Sequence, residues 1–145
     1  MIKTNGGFLI SQIKQVGGRI FEKMLTRAGV DEFNGAQGRI LFVLWQNDNL
    51  TISELSQKTG LAKTTLTSML DRLEQSGILC RVFDKADRRQ IRIVLTEKAK
   101  ALSEQYDAVS DGMSELYYKG FTDTEIIAFE ETLNRILRNL TESEN

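Results

Sequence analysis

The sequence of 145 residues contains no histidine, no proline and only one cysteine. Without histidine the chain has no Ser–His or Cys–His catalytic pair and no histidine-based zinc site. Without proline, which breaks helix interiors, most of the chain is free to be helical. The lone Cys80 excludes an intramolecular disulfide and indicates a reducing compartment, so we expect the protein to be cytoplasmic.

Membrane segments and enzyme motifs are also missing. No run of about 18 apolar residues marks a membrane span, and the N-terminus lacks the apolar block and cleavage site of a signal peptide. The sequence has no glycine-rich phosphate loop and no carboxylates clustered at metal-ligand spacing. We therefore expect a protein that is not an enzyme, holds no cofactor or metal, and does not enter a membrane.

Charge is unevenly distributed along the chain. The formal net charge is −1, yet residues 53–95 carry eight Lys and Arg against five Asp and Glu. A basic middle between acidic flanks is typical of a nucleic-acid-binding surface on an otherwise acidic body.

The two ends of the chain carry helical patterns. Apolar residues at steps of three and four predict a first helix over residues 8–28, and Asn34 is expected to cap a second helix. After Thr96 the same spacing predicts a long helix, an interruption at Gly120 and a last helix. Their wide apolar faces, far apart in sequence, predict packing against a second copy of the chain.

The middle of the chain has a different layout. Thr51 and Glu54 form a capping box for a short helix, and a further helix is predicted over residues 62–76. Residues 79–83 and 90–95 have the branched, apolar composition of strands, separated by a polar, charged tip. A helix pair followed by such a hairpin predicts a winged helix, in which one helix enters the DNA major groove and the hairpin reaches the minor groove.

The exposed face of the second helix of this pair carries small or polar residues. Such side chains let a helix approach the bases, and hydroxyl groups can bond to phosphates or base edges. A solvated helix face is the alternative interpretation. The candidate DNA contacts on this helix are Lys63, Thr64, Thr65, Thr67, Ser68 and Arg72.

The hairpin tip is the stronger signal. It places Arg88 and Arg89 on a thin loop, which suits the narrow, electronegative minor groove. Asp87 is expected to pair with a neighbouring arginine and so fix the shape of the loop. The alternative is a charged turn that only keeps the tip soluble.

This segment resembles the MarR family of bacterial and archaeal transcription regulators, and the terminal helices agree with that family in number and order. The chain departs from the family pattern at Ala99, where the family often has glycine. The matching residues are Asp71-Arg72-Leu73-Glu74, Gly77, Arg81, Asp87-Arg88-Arg89 and Leu95-Thr96-Glu97.

The resemblance implies a mainly α fold with a small β-hairpin wing. In it, residues 31–95 form a winged helix-turn-helix domain, and residues 1–30 and 96–145 form a helical dimerisation layer. It implies that Arg89 enters the minor groove and that Asp71 and Asp87 order the wing. It also implies a homodimer on a pseudo-palindromic operator in double-stranded DNA, and a repressor that a small, often aromatic or phenolic, ligand releases.

The sequence offers several candidate residues for an effector site. Candidate pocket residues are Phe8, Phe42, Trp45 and Tyr106, with Arg19 or Arg39 as partner for a carboxylate. The alternative is that these aromatic residues are simply core. Two other functions compete with ligand release: oxidation of Cys80 as the switch, and a winged helix that binds protein instead of DNA.

Overall fold

The computed structural model describes residues 1–144, which form six α-helices and a small sheet of three strands. Among these residues no helix is both long and apolar enough to cross a bilayer. In chain order the elements are α1 (Gly6–Arg27), α2 (Gly35–Gln46), β1 (Leu50–Thr51), α3 (Ile52–Thr59), α4 (Lys63–Gln75), β2 (Leu79–Phe83), β3 (Ile91–Leu95), α5 (Glu97–Tyr117) and α6 (Asp123–Glu144).

The mainly helical fold with a small hairpin is confirmed. By contacts the chain divides into two compact units, Met1–Ser110 and Asp111–Asn145. The expected division into residues 31–95 and a helical layer of 1–30 and 96–145 stays a prediction, and its last residue lies outside the described residues.

The first unit is built on a leucine-rich core. In α4 the spacing of Leu66, Leu70 and Leu73 places all three on one face, and all are fully buried. They join Ile40 and Leu44 of α2 in the same cluster of buried residues. Each such side chain contributes about 1.5–3 kcal/mol when it is removed from water. This burial decides which face of α4 stays exposed.

Both predicted capping signals in the first unit are confirmed. At the start of α2, the backbone N–H of Gln37 donates to Asn34 Oδ1 at 2.8 Å, and the backbone N–H of Asn34 donates to Gln37 Oε1 at 3.0 Å. At the start of α3, the Glu54 amide donates to Thr51 Oγ1 at 3.1 Å, and the Thr51 amide donates to Glu54 Oε1 at 3.2 Å. Two otherwise unpaired backbone donors are satisfied at each helix start.

The turn between α4 and β2 depends on Gly77. Its φ of 75° lies in the left-handed region, where a side chain is strained. The Gly77 amide donates to the Glu74 carbonyl and the Ile78 amide to the Leu73 carbonyl, both at 3.0 Å. The helix therefore ends sharply and passes directly into the hairpin.

The sheet has the order β1–β3–β2, and both pairings are antiparallel. The hairpin was predicted, although β3 begins at Ile91 and not at Gln90, because the Gln90 amide closes a turn onto the Asp87 carbonyl. Strand β1 was missed. It has only two residues, too few to show an alternating pattern, and pairs Leu50 with Ile93.

A cluster of aromatic rings packs around Tyr106 of α5, which is only 7% exposed. Ring centroids lie 5.7 Å from Phe21, 6.0 Å from Phe33 and 5.1 Å from Trp45. The backbone of Gly38 approaches this ring so closely that an added Cβ would lie 2.7 Å from Tyr106 Cε2. A side chain at residue 38 does not fit unless the buried ring moves.

We expect Gly38→Ala to destabilise the protein. The free-energy cost of overpacking the core, about 1–3 kcal/mol, exceeds the stability of roughly 0.5–1 kcal/mol that alanine gains over glycine inside a helix. The matched control is Gly18→Ala in α1, where an added Cβ meets nothing within 4 Å. Urea unfolding of both variants measures the difference. Equal stability of Gly38→Ala and the parent protein would contradict the packing argument.

The second unit contains the end of α5 and all of α6. Tyr118 donates a hydrogen bond of 2.6 Å to Glu130, and its ring lies edge-on to Phe121 and Phe129, with centroids 5.8 and 6.2 Å away. The hydrogen bond to the carboxylate favours the neutral phenol and raises the pKa of Tyr118 to about 12. This contact joins the two helices of the unit.

Glu130→Gln should return the pKa of Tyr118 towards the ordinary value of 10.0, because the accepting carboxylate is gone. Since the folded pKa is raised, the contribution of this contact to stability is present below pH 10 and is lost as the pH rises through about 12. The absorbance of phenolate in an alkaline titration measures the pKa of Tyr118 in the parent protein and in the variant. A parent protein whose tyrosines all titrate near 10 would refute the contact.

Candidate nucleic-acid interface

The outer face of α4 is mostly polar and exposed. All six candidate contacts on this helix are exposed. Together with Met69, four of them line an open depression of about 410 Å³ on the helix surface: Thr64, Thr65, Ser68 and Arg72. Small side chains at this position leave the helix backbone accessible to a partner that lies along it.

The hydroxyl of Thr67 is already in use as a donor. Its Oγ1 donates to the Lys63 carbonyl one turn earlier, at 2.8 Å. Thr67 therefore offers an acceptor and a methyl group to a partner, but not its proton. Lys63 keeps its ammonium group exposed at the start of the helix.

Arg81 of β2 joins the hairpin to α4. Its Nη2 lies 2.6 Å from Asp71 Oδ1 and donates to the Thr67 carbonyl at 3.3 Å, and its Nη1 lies 3.2 Å from Glu74 Oε1. The Arg81 amide also donates to Glu74 Oε2 at 3.1 Å. One guanidinium thus satisfies two carboxylates on α4 and fixes the angle between the helix and the hairpin.

The base of the wing is ordered by Asp84. Its Oδ1 accepts from the Ala86 amide at 2.8 Å, and its Oδ2 lies 2.8 Å from Arg92 Nε on the opposite strand. Arg92 in turn donates to the Asn49 carbonyl at 3.0 Å, which ties the wing to the loop before β1. The hydrogen bond from Arg92 holds the pKa of Asp84 below its usual range.

The wing tip presents Arg89 in a fixed direction. Asp87 accepts from the Arg89 amide at 3.0 Å and from Arg89 Nε at 3.1 Å, and this pairing lowers the pKa of the Asp87 carboxyl. The Arg89 side chain is nevertheless 91% exposed. Arg88 is exposed and makes no ion pair within residues 1–144. The tip therefore projects positive charge from a short, pre-organised loop.

The structure pairs charged residues that the sequence analysis did not pair. The resemblance implies that Asp71 helps to order the wing, and in the structure Asp71 contacts Arg81 at the stem of the hairpin, ten residues along the chain. The role of Arg81 as a bridge was missed, although Arg81 and Glu74 both stood in the family pattern. The pairing of Asp84 with Arg92 was missed altogether, because it depends on strand register and leaves no local sequence signal.

The candidate effector residues are only partly brought together. The centroids of Phe42 and Trp45 lie 6.3 and 5.1 Å from that of Tyr106, and Trp45 Nε1 donates to the Ala99 carbonyl at 3.0 Å. Phe8 is 71% exposed, outside this cluster, and Arg19 and Arg39 are exposed on α1 and α2. Cys80 is half-buried in β2.

Arg92→Gln should raise the pKa of Asp84 towards its ordinary value of 3.8, because the guanidinium that favours the carboxylate is removed. Since the folded pKa is lowered, the stabilising effect of Asp84 is present above pH 3.8 and is lost as the pH falls through the folded pKa. An NMR titration of the carboxyl carbon measures the shift. Arg88→Gln is the control, and an equal shift in both variants would exclude a specific pair.

The chain is similar to regulators of one family. The sequence profile of the MarR family matches residues 33–91. YcgE of Bacillus subtilis, an uncharacterised HTH-type transcriptional regulator, is 30% identical over 125 residues, which is 80% of each chain. Three other curated relatives are 32–35% identical, and the chain spans only 46%, 64% and 57% of their length.

Two solved structures of other proteins share the fold of this chain over nearly its whole length. AbfR, in its reduced form bound to DNA, has a TM-score of 0.71 and 29% identity, with 92% of this chain and 91% of that chain covered. A mutant of MarR from E. coli, complexed with operator DNA, has a TM-score of 0.81 and 27% identity, with 90% and 92% covered. This chain belongs to the MarR family of winged-helix regulators.

Proposed function

We propose that this protein is a sequence-specific transcription regulator that binds double-stranded DNA. One observation carries the proposal. The exposed polar face of α4 and the exposed Arg89 of the wing belong to one unit, joined by the Arg81 contacts to Asp71 and Glu74. The DNA-bound structures of AbfR and of the E. coli MarR mutant, which share this fold, support it.

In the proposed complex α4 lies in the major groove. The side chains of Thr64, Thr65 and Ser68 are short enough for the helix to approach base edges, while Lys63 and Arg72 contact phosphates. The wing reaches the neighbouring minor groove with its arginines. Arg81 lies within ion-pair distance of Asp71 and Glu74 and offsets one of their two negative charges, which reduces the repulsion between α4 and the phosphates.

We infer a homodimer, and the support for it is a set of apolar side chains that the folded chain leaves in water. In α1 these are Phe8, Leu9, Ile10, Ile13 and Val16, and in α6 they are Ile127, Phe129, Ile136, Leu137 and Leu140. Exposed apolar rows on two long helices are typical of association surfaces. A two-fold dimer would read a pseudo-palindromic operator whose half-sites lie about 34 Å apart.

We further propose that the protein represses transcription and that a small aromatic or phenolic ligand releases it from DNA. The candidate site is formed by Phe42, Trp45 and Tyr106, which belong to the group of aromatic rings around Tyr106. Phe8 and either Arg19 or Arg39 are further candidates. Burial raises the pKa of the Tyr106 hydroxyl, and the positive charge of Arg39 opposes that rise. A neutral phenol beside a cation suits an aromatic acid.

The function is tested by fluorescence anisotropy on DNA from upstream of the protein's own gene, with a scrambled duplex beside it. Binding that favours the natural duplex and weakens steeply with salt is expected, because phosphate contacts release counterions. If the protein does not favour the natural duplex, a preferred sequence is sought by selection from a random DNA pool. The proposal fails if that selection yields no preferred sequence.

Arg89→Ala should weaken binding to the operator by about 1–3 kcal/mol and reduce the salt slope by about one charge. The physical reason is the loss of a guanidinium that the wing holds, fully exposed, at its tip. The same anisotropy titration at several salt concentrations measures both quantities.

Lys119→Ala is the matched control, since it removes one exposed positive charge outside residues 31–95. Its affinity and salt slope should equal those of the parent protein. An Arg89→Ala variant with parent-like affinity and slope would remove the wing from the binding mechanism.

A further inference from the structure

Phe83 is a large apolar side chain left in water at the end of β2. It is 71% exposed, although it pairs in register with Ile91 on the neighbouring strand. An exposed phenyl ring gains nothing for the isolated fold, because most of its surface stays hydrated. Its position in the hairpin indicates what covers it.

The ring lies on the side of the hairpin that faces α4. Successive residues of a strand alternate between the two faces, so Arg81 and Phe83 share one face and Val82 lies on the other. Arg81 on that face reaches Thr67 and Asp71 of α4. Phe83 is about 7 Å further along the strand, at 3.2–3.4 Å per residue. It therefore stands between α4 and the wing tip.

The hairpin that carries the ring is basic, since residues 79–95 hold five Lys and Arg against two Asp, and this argues against an apolar protein partner. The carboxylates of Asp84 and Asp87 are already paired with Arg92 and Arg89. Lys85 and Arg88 follow on the tip and make no ion pair within the part of the chain that the structure describes. The matching partner is anionic overall and offers an apolar patch of the size of one ring.

The DNA backbone has this combination. If α4 lies in the major groove and the wing tip in the adjacent minor groove, the strand of sugar and phosphate between the grooves runs past the hairpin between these two elements. Its phosphates carry the negative charge, and its deoxyribose rings are carbon-rich and lack the 2′-hydroxyl of RNA.

We propose that Phe83 packs against a deoxyribose of the backbone strand that separates the two grooves. The inference rests on the proposed function, and it adds an apolar contact to an interface otherwise made of charged and polar groups. Burial of the ring contributes affinity without releasing counterions, so this part of the binding is independent of salt. The contact also seats the wing at a fixed depth.

The test compares Phe83→Ala with Val82→Ala, the neighbour on the opposite face, which is 40% exposed. Operator affinity of each is measured by anisotropy over a range of salt concentrations. Phe83→Ala should bind about tenfold more weakly at every salt concentration, with the salt slope of the parent protein. Val82→Ala should bind like the parent, and Phe83→Leu should lie between the two.

Thermal unfolding confirms that each variant is folded, and the exposure of the ring predicts only a small loss of stability for Phe83→Ala, from its cross-strand pair with Ile91. Parent-like affinity of Phe83→Ala and Phe83→Leu would overturn the inference. A reduced salt slope in these variants, as expected for Arg89→Ala, would overturn it too, since the ring would then act by placing the wing arginines. A parent protein that selects no DNA would refute the proposed function itself, before any variant is compared.

Discussion

The geometry of the interface depends on the contacts of Arg81 with α4. Its guanidinium lies 2.6 Å from Asp71 and 3.2 Å from Glu74. These bonds add polar contacts to a helix and a strand that also share the buried leucine core and are linked by one sharp turn. Partly exposed ion pairs add little to stability. Their effect here is on position, because the two groove contacts that we propose require a fixed angle between α4 and the hairpin. The same bonds offset one of the two negative charges that Asp71 and Glu74 carry.

Ion pairs also fix the position of the wing tip, within a single loop. Asp84 and Asp87 each accept both a backbone amide and an arginine, so the loop is held by its own carboxylates before any partner arrives. A loop ordered in advance loses less conformational entropy on binding than a mobile one. The acids do not cancel the function of the tip, because Arg89 stays exposed while it is paired.

The aromatic cluster and the wing are physically connected. The loop after α2 supplies the Asn49 carbonyl to Arg92 and the Asp48 carboxylate to the Leu95 amide, so the end of α2 is tied to β3. Trp45, near the end of α2, is fixed to α5 through the Ala99 carbonyl. A change in packing around Tyr106 thus has a covalent and hydrogen-bonded route to the stem of the wing. Chains of packed and hydrogen-bonded groups of this kind are one means by which two sites can be coupled.

The sequence by itself determined the capped starts of α2 and α3, the end of α4 before Gly77, the exposed face of α4 and the charged tip, because each follows from spacing or chemistry within a few residues. Only the tertiary structure decided the partners of Arg81 and Asp84, the two-residue strand β1 and the packing of Gly38 against Tyr106. These contacts join residues that are distant in sequence or that depend on strand register. Local patterns record which face of an element is buried, but not which residue of another element lies against it.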